Sequence, residues 1–329
     1  MIPWSRFVDL VRSHQRFLLT CHIRPDCDAL GSELGMAAVL RHLGKDVLLV
    51  NAFAVPPNLR FLEENPQTRQ LGKEITAEQL ADREVLVILD TTAWAQLGAM
   101  ADVVRTTKAV KVVLDHHVSE DDLGAELFKD TEAEATGRLV AEAAGALGVQ
   151  LTPEMAKPLF AALATDTGWF RFASTQPGTL RLAAQLVEAG ARPEQLYKQL
   201  YEHDSLARLR LIGRTMCRVQ TDLGGRLIYT WIEQADFQAT GAVSSDSEDL
   251  INMTLTVGGT EVAVIFVEQK DGALKVSFRS RSDVDCSRLA EQFGGGGHKR
   301  AAGATLREPL ASAQAKVLDA ARAAMQDGG

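Results

Sequence analysis

Residues 16–51 read RFLLTCHIRPDCDALGSELGMAAVLRHLGKDVLLVN, and this stretch decides the fold. RFLLTCH (16–22) is an apolar run of strand length. ALGSELGMAAVLRHLG (29–44) repeats apolar residues at helical spacing and ends in Gly44, a residue suited to stopping a helix. DVLLVN (46–51) is a second strand-like run. Two more follow, EVLVILD (84–90) and VKVVLD (110–115). Strands separated by helices join through right-handed crossovers, so the N-terminal half is predicted to be an α/β fold with a doubly wound, mostly parallel sheet.

Outward from there, residues 131–165 are Ala-rich and helical, interrupted at Gly148 and Pro153, and a further helix is expected over 178–190. ARPEQLYKQLYEHDSLARLRLIGR (191–214) reads as a helical connector. Beyond it the texture changes to RLIYTWIE (226–233), EVAVIFVEQ (261–269) and ALKVSFRS (273–280), with Asp271-Gly272 marking a hairpin turn. The predicted organisation is a catalytic domain over 1–190, a helical linker over 191–215 and a smaller α/β domain over 216–329.

The 329 residues carry 43 acidic and 35 basic side chains, a formal net charge of -8, which argues against a protein gripping many phosphates of a long duplex. A small anionic substrate held by local cations stays compatible. Cys21, Cys27, Cys217 and Cys286 form no CxxC pair, so they are expected to be reduced thiols in the cytoplasm. The start, MIPWSRFVDLVRSHQRF, is charged throughout and lacks a signal-peptide core, and no apolar stretch reaches the ~20 residues that span a bilayer.

In a parallel α/β sheet, ligands collect beyond the carboxyl ends of the strands. The first run ends in His22-Ile-Arg24-Pro-Asp26-Cys-Asp28-Ala-Leu-Gly-Ser32, the third in Asp90 and the fourth in Asp115-His116-His117. Within LFAALATDTGWF (159–170), Asp166 precedes a Thr-Gly break. One Asp after a strand is often only a helix N-cap, and Asp90-Thr91-Thr92 could be that. Four segments that deliver carboxylate or imidazole to the same edge argue for more. So much negative charge in one cleft repels itself unless cations bind. Mixed Asp and His donors without thiolate fit manganese, cobalt or magnesium better than structural zinc. Two ions ~4 Å apart that share a carboxylate are a common clamp for phosphate-ester hydrolysis.

A second cluster is Gly294-Gly295-Gly296-Gly297-His298-Lys299-Arg300-Ala301-Ala302-Gly303. Glycines let backbone approach an anion, and the Ala-rich turn behind them is expected to offer helix amides to phosphate. Arg279 and Arg281 end a strand just upstream. Alternating arginines can also be plain solvated surface.

HIRPDCDALGS, LVILD, VVLDHH and ATDTG, with GGGGHKRAAG in a C-terminal domain, resemble the DHH–DHHA1 phosphoesterases over nearly the whole chain. The compact layout is most similar to the nano-RNase and pAp phosphatase branch, pAp being adenosine 3′,5′-bisphosphate. The resemblance implies two Mn2+ ions, or Mg2+ or Co2+. One would be held by His22, Asp26 and Asp90, the other by Asp28, Asp90, His116 and Asp166. Asp90, Asp115 and His117 would be catalytic, with His117 facing the phosphate. Arg24, Ser32, His117, Arg279, Arg281, Gly295, Gly296, Gly297 and His298 would bind substrate. The expected reaction is hydrolysis of short RNA or DNA oligonucleotides to mononucleotides, and of pAp to AMP and phosphate, by a two-metal-activated water. Neither long duplexes nor membranes are expected partners, and the resemblance implies a homodimer. A RecJ-like single-strand exonuclease, an inorganic pyrophosphatase and a non-catalytic nucleotide sensor are the rival readings.

Overall fold

The computed structural model describes residues 2–63, 65–118 and 120–326, which divide into two units, 1–203 and 204–329. In the first unit the elements run α1 (Trp4–Ser13), β1 (Arg16–Cys21), α2 (Cys27–His42), β2 (Asp46–Asn51), β3 (Thr68–Gln70), β4 (Val85–Leu89), α3 (Met100–Thr106), β5 (Val110–Asp115), β6 (Glu126–Lys129), α4 (Thr136–Ala146), α5 (Pro153–Asp166), α6 (Pro177–Glu188) and α7 (Pro193–Tyr201). The second unit holds α8 (Leu206–Cys217), β7 (Gln220–Asp222), β8 (Leu227–Ile232), α9 (Gln234–Thr240), α10 (Leu250–Thr254), β9 (Val262–Glu268), β10 (Leu274–Ser280), α11 (Cys286–Glu291), β11 (Gly296–His298), β12 (Ala301–Leu306) and α12 (Leu310–Gln326).

The first sheet has the order β3-β2-β1-β4-β5-β6, with every pair parallel. The central strands are buried on both faces, as their unbroken Leu and Val runs require. Strand order reverses between β1 and β4, and in open α/β sheets ligands gather beyond the strand ends at such a switch point. The predicted doubly wound sheet is therefore present. It gains two short edge strands, β3 and β6, whose lengths of three and four residues leave little periodicity to read.

Helix α2 is buried almost throughout and packs against α5. Two glycines allow the approach: a Cβ on Gly31 would lie 2.5 Å from the Pro158 carbonyl oxygen, and one on Gly35 would lie 2.4 Å from Leu159 Cδ2. Gly44, at φ 74°, ends α2 in the left-handed conformation expected of it.

The second sheet has the order β11-β12-β10-β9-β8-β7, antiparallel except for the parallel β8–β9 pair. Gly272 at φ 77° makes the expected turn between β9 and β10. The anticipated connector is two helices, α7 in the first unit and α8 in the second, with the division at 203/204. The segment after the glycine run is strand β12, so the expected helix amides do not exist there.

Candidate metal centre

Each candidate ligand in the first unit is placed by the end of an element. His22 follows β1, Asp90 follows β4, and Asp115, the last residue of β5, leads into His116 and His117. Asp28 lies in the first turn of α2, and Asp166 is the last residue of α5. Antiparallel packing of those two helices brings these ends to the sheet's carboxyl edge.

His22 Nε2 lies 3.7 Å from Asp26 Oδ1 and 3.4 Å from Asp90 Oδ2. His116 Nε2 lies 3.7 Å from Asp28 Oδ2, 3.6 Å from Asp90 Oδ1 and 3.5 Å from Asp166 Oδ2. Asp90 thus turns one oxygen to each histidine, the arrangement a bridging carboxylate needs. Both rings are anchored through Nδ1, His22 on the carbonyl oxygen of Ile23 at 2.8 Å and His116 on that of Ala133 at 3.0 Å. Such contacts fix the tautomer that leaves Nε2 for an ion.

Asp90 is 2% exposed and adopts φ 64°, while its N–H donates to Leu114 O at 2.9 Å. It does not start a helix, so the capping reading fails for it. Left-handed backbone at a non-glycine residue costs of order 1 kcal/mol and gathers at functional sites. Asp26, in contrast, does cap α2, its Oδ1 accepting from Ala29 N at 3.0 Å.

The electrostatics are those of a site short of positive charge. Burial, then repulsion from Asp90 and Asp166, pushes the Asp28 carboxyl well above its ordinary range. Burial likewise raises Asp166 to about 6, with His116 opposing and Asp90 adding to the rise. At His22 burial alone would favour the neutral ring, but hydrogen bonds to Asp26 and Asp90 outweigh it and lift the imidazole to about 10. A bound cation would relieve the mutual repulsion behind these carboxylate shifts, and the mixed carboxylate and imidazole donors fit divalent ions. Next door, burial raises the Cys27 thiol to about 12.

His117 is oriented by Asp115, whose Oδ1 lies 2.9 Å from Nδ1 and accepts the His117 N–H at 3.1 Å. That contact raises the imidazole against the opposing effect of half-burial. Thr92 Oγ1 donates to Asp115 Oδ2 at 2.9 Å, and Lys129 Nζ stands 3.8 Å from the same oxygen.

Thr92, Thr136, Gly137 and Lys129 are supporting residues that the sequence reading did not single out. Thr136 N and Gly137 N donate to Asp28 at 2.7 and 2.9 Å, and Thr136 Oγ1 donates to Asp90 Oδ1 at 2.8 Å. A Thr-Gly pair opening an Ala-rich helix was the available signal for Thr136 and Gly137; Lys129 gave none.

Ser32 requires correction. It is fully buried and donates to Asp28 Oδ1 at 3.1 Å, so it supports a ligand and cannot touch substrate. Arg24 is exposed, at φ 51°, and makes no ion pair among the described residues. A cavity of about 1010 Å3 bordered by Leu34, Arg41, Phe61, Glu154 and Arg192 includes none of the ligands.

In the second unit, His298 pairs with Ala301, and Ala301 pairs with Arg279. Directly paired residues project to one face, so His298 and Arg279 share a row with a small alanine between them. Arg281 lies beyond β10 and donates to the Leu255 carbonyl oxygen at 2.5 Å, which takes it out of that row. The glycines also serve a different purpose from the one expected. A Cβ on Gly295 would lie 2.2 Å from Gly303 O, and one on Gly297 would lie 2.6 Å from Ala301 O. Close pairing with β12 demands glycine at those two positions, whereas Gly294 and Gly296 face open space.

A doubly wound parallel sheet carrying a buried carboxylate–imidazole centre at its switch point defines an α/β protein equipped to hold divalent ions. The sequence signature of the DHH family N-terminal domain matches residues 16–163, and that of the DHHA1 domain matches 224–327. The chain is 33% identical over 92% of its length to the bifunctional oligoribonuclease and PAP phosphatase NrnA of Thermus thermophilus, covering 88% of that protein. It is 28% identical to the Bacillus subtilis protein of the same name, over 92% of this chain and 93% of that one. An exopolyphosphatase-related protein from Bacteroides fragilis shares the fold, with TM-score 0.84, 22% identity, and coverage of 98% and 95% of the two chains. The chain belongs to the DHH family and carries a C-terminal DHHA1 domain.

Proposed function

We propose that the chain is a divalent-metal-dependent phosphoesterase that hydrolyses short oligonucleotides to mononucleotides and pAp to AMP and phosphate. The observation that carries this reading is Asp90, buried with each carboxylate oxygen turned to a different anchored histidine. His22, Asp26 and Asp90 would hold one ion, and Asp28, Asp90, His116 and Asp166 the other. When bound, Mn2+, Mg2+ or Co2+ supplies Lewis-acid charge and an activated water at phosphorus.

The chain's own groups do the remainder. Asp115 holds His117 in one orientation and favours its protonated form, which suits it to donate to a phosphoryl or leaving oxygen. Arg279 and His298, in one row of the second sheet, suit an additional phosphate of the substrate. Relatives 33% and 28% identical carry names that state both activities, which supports the substrate class. No helix among the described residues is long and apolar enough to cross a membrane. Four free cysteines, three of them buried, fit a reducing compartment, and we place the enzyme in the cytoplasm.

The test is product release by the purified chain with Mn2+, comparing pAp, the dinucleotide pApA, a five-residue RNA, a long RNA and pyrophosphate. Rapid turnover of pAp and the short oligomers, abolished by chelator, is expected. Preference for the long RNA or pyrophosphate would overturn the substrate assignment, and binding without turnover would establish a sensor instead.

A further inference from the structure

We propose that Trp169, Tyr197 and Tyr201 form a stacking ledge beside the metal centre that receives a nucleobase of the substrate. The inference rests on the nucleotide-hydrolase reading and adds to it a base-binding subsite within the first unit.

Trp169 comes three residues after the candidate ligand Asp166. Between them the backbone makes an unusual turn: Gly168, Trp169 and Phe170 all have positive φ, at 57°, 60° and 62°. Two consecutive non-glycine residues in the left-handed region are costly, since each crowds its Cβ against the backbone. Thr167 holds the turn, its Oγ1 accepting from Phe170 N at 3.1 Å, while Trp169 N donates to Ala164 O at 2.6 Å. The result sets the indole against α7, with ring centroids 5.0 Å from Tyr197 and 5.7 Å from Tyr201. The two tyrosines, one helical turn apart, are themselves 5.0 Å apart.

Packing accounts for one side of the indole, which lies against the core with its ring centroid 6.2 Å from that of the buried Phe160. It does not account for the exposed side of the cluster. Tyr197 and Tyr201 stay 40% and 48% exposed, so much of their ring area faces solvent next to a partly buried tryptophan. Asp166, 3.5 Å from His116 Nε2, ends α5 only three residues before Trp169, so the turn ties the ledge to the centre. The exposed Arg171 belongs to the same turn, its Nε donating to Gly168 O at 2.7 Å. Flat aromatic surface next to a phosphate site is what a base needs. Stacking on it tolerates any sequence, because every base has a π-face. That tolerance matches a substrate range that runs from pAp to mixed short oligomers.

The test uses the full chain and two readouts. First, kcat/KM is measured for pAp and for the counterpart lacking the base, 1-deoxyribose 3,5-bisphosphate. Tyr201→Ala should cut the preference for pAp about 5- to 160-fold through KM, the range that stacking on one aromatic ring supplies, while Tyr201→Phe should retain it. Second, AMP added to the metal-free protein should quench tryptophan fluorescence where ribose 5-phosphate does not, and Trp169→Phe should lose that signal. An unchanged preference in Tyr201→Ala, or quenching that survives Trp169→Phe, overturns the ledge. If wild-type protein turns over no nucleotide, the hydrolase reading falls separately, and the quenching experiment still decides the ledge.

Discussion

Asp90→Asn isolates the charge that the two halves of the centre share. The amide is isosteric and keeps one oxygen to accept from Thr136 Oγ1, now 2.8 Å from Asp90 Oδ1, so the fold should survive. In the ion-free protein, removing a negative charge beside Asp28 relieves a repulsion that already raises the Asp28 carboxyl, and stability should hold or increase. With metal the expectation reverses. An ion at 100 times its dissociation constant stabilises the protein by about 2.7 kcal/mol, which is roughly 5–11 °C in Tm for a unit of about 200 residues. The variant should lose most of that shift, because an ion at either half would have one anionic ligand fewer. A deficit of about 4 kcal/mol in transition-state stabilisation corresponds to a loss of roughly 10³-fold in kcat/KM. Differential scanning fluorimetry with and without Mn2+, paired with pAp turnover, reads both effects. A variant that keeps the full metal-induced rise and turns over within tenfold of wild type would refute the assignment of Asp90 as the shared ligand.

Thr136→Val removes a buried hydroxyl that donates to Asp90 while every proposed ligand stays in place. It should lower metal affinity or turnover about 10- to 100-fold, readable from a Mn2+ titration of activity. Gly297→Ala would put a Cβ 2.6 Å from Ala301 O and should destabilise the second unit by about 1–3 kcal/mol in urea, whereas Gly296→Ala, with open space around it, should change stability far less. Glu33 is fully buried and accepts from Asn51 Nδ2 at 2.7 Å, while its Oε1 has no partner among the described residues; burial raises its carboxyl to about 8. A carboxyl raised above its unfolded value binds more protons when folded, so its contribution is complete below about pH 4.5 and declines as pH rises to about 8. Urea midpoints across pH 5–8 should therefore fall more steeply for wild type than for Glu33→Gln; parallel slopes would show that Glu33 titrates normally.

Much of this was legible locally. Strand runs that end in His22, Asp90 and Asp115-His116-His117 carry their own placement, because a parallel sheet presents all its carboxyl ends to one edge. The change from helix-separated strands to hairpins likewise exposed the second unit. Periodicity said nothing about which side chains meet once helices pack. Asp28 and Asp166 are 138 positions apart, and only the close antiparallel approach of α2 and α5, permitted by Gly31 and Gly35, sets both around His116. Ser32 shows the reverse error: it belongs to the right motif yet faces inward, and burial is a property of neighbours that a single segment does not contain. The glycine run behaves the same way, since backbone approaching a strand and backbone approaching an anion ask for the same residue. Residue chemistry and strand ends were thus determined by the sequence itself, whereas burial, support and orientation were decided by distant segments packed at van der Waals distance.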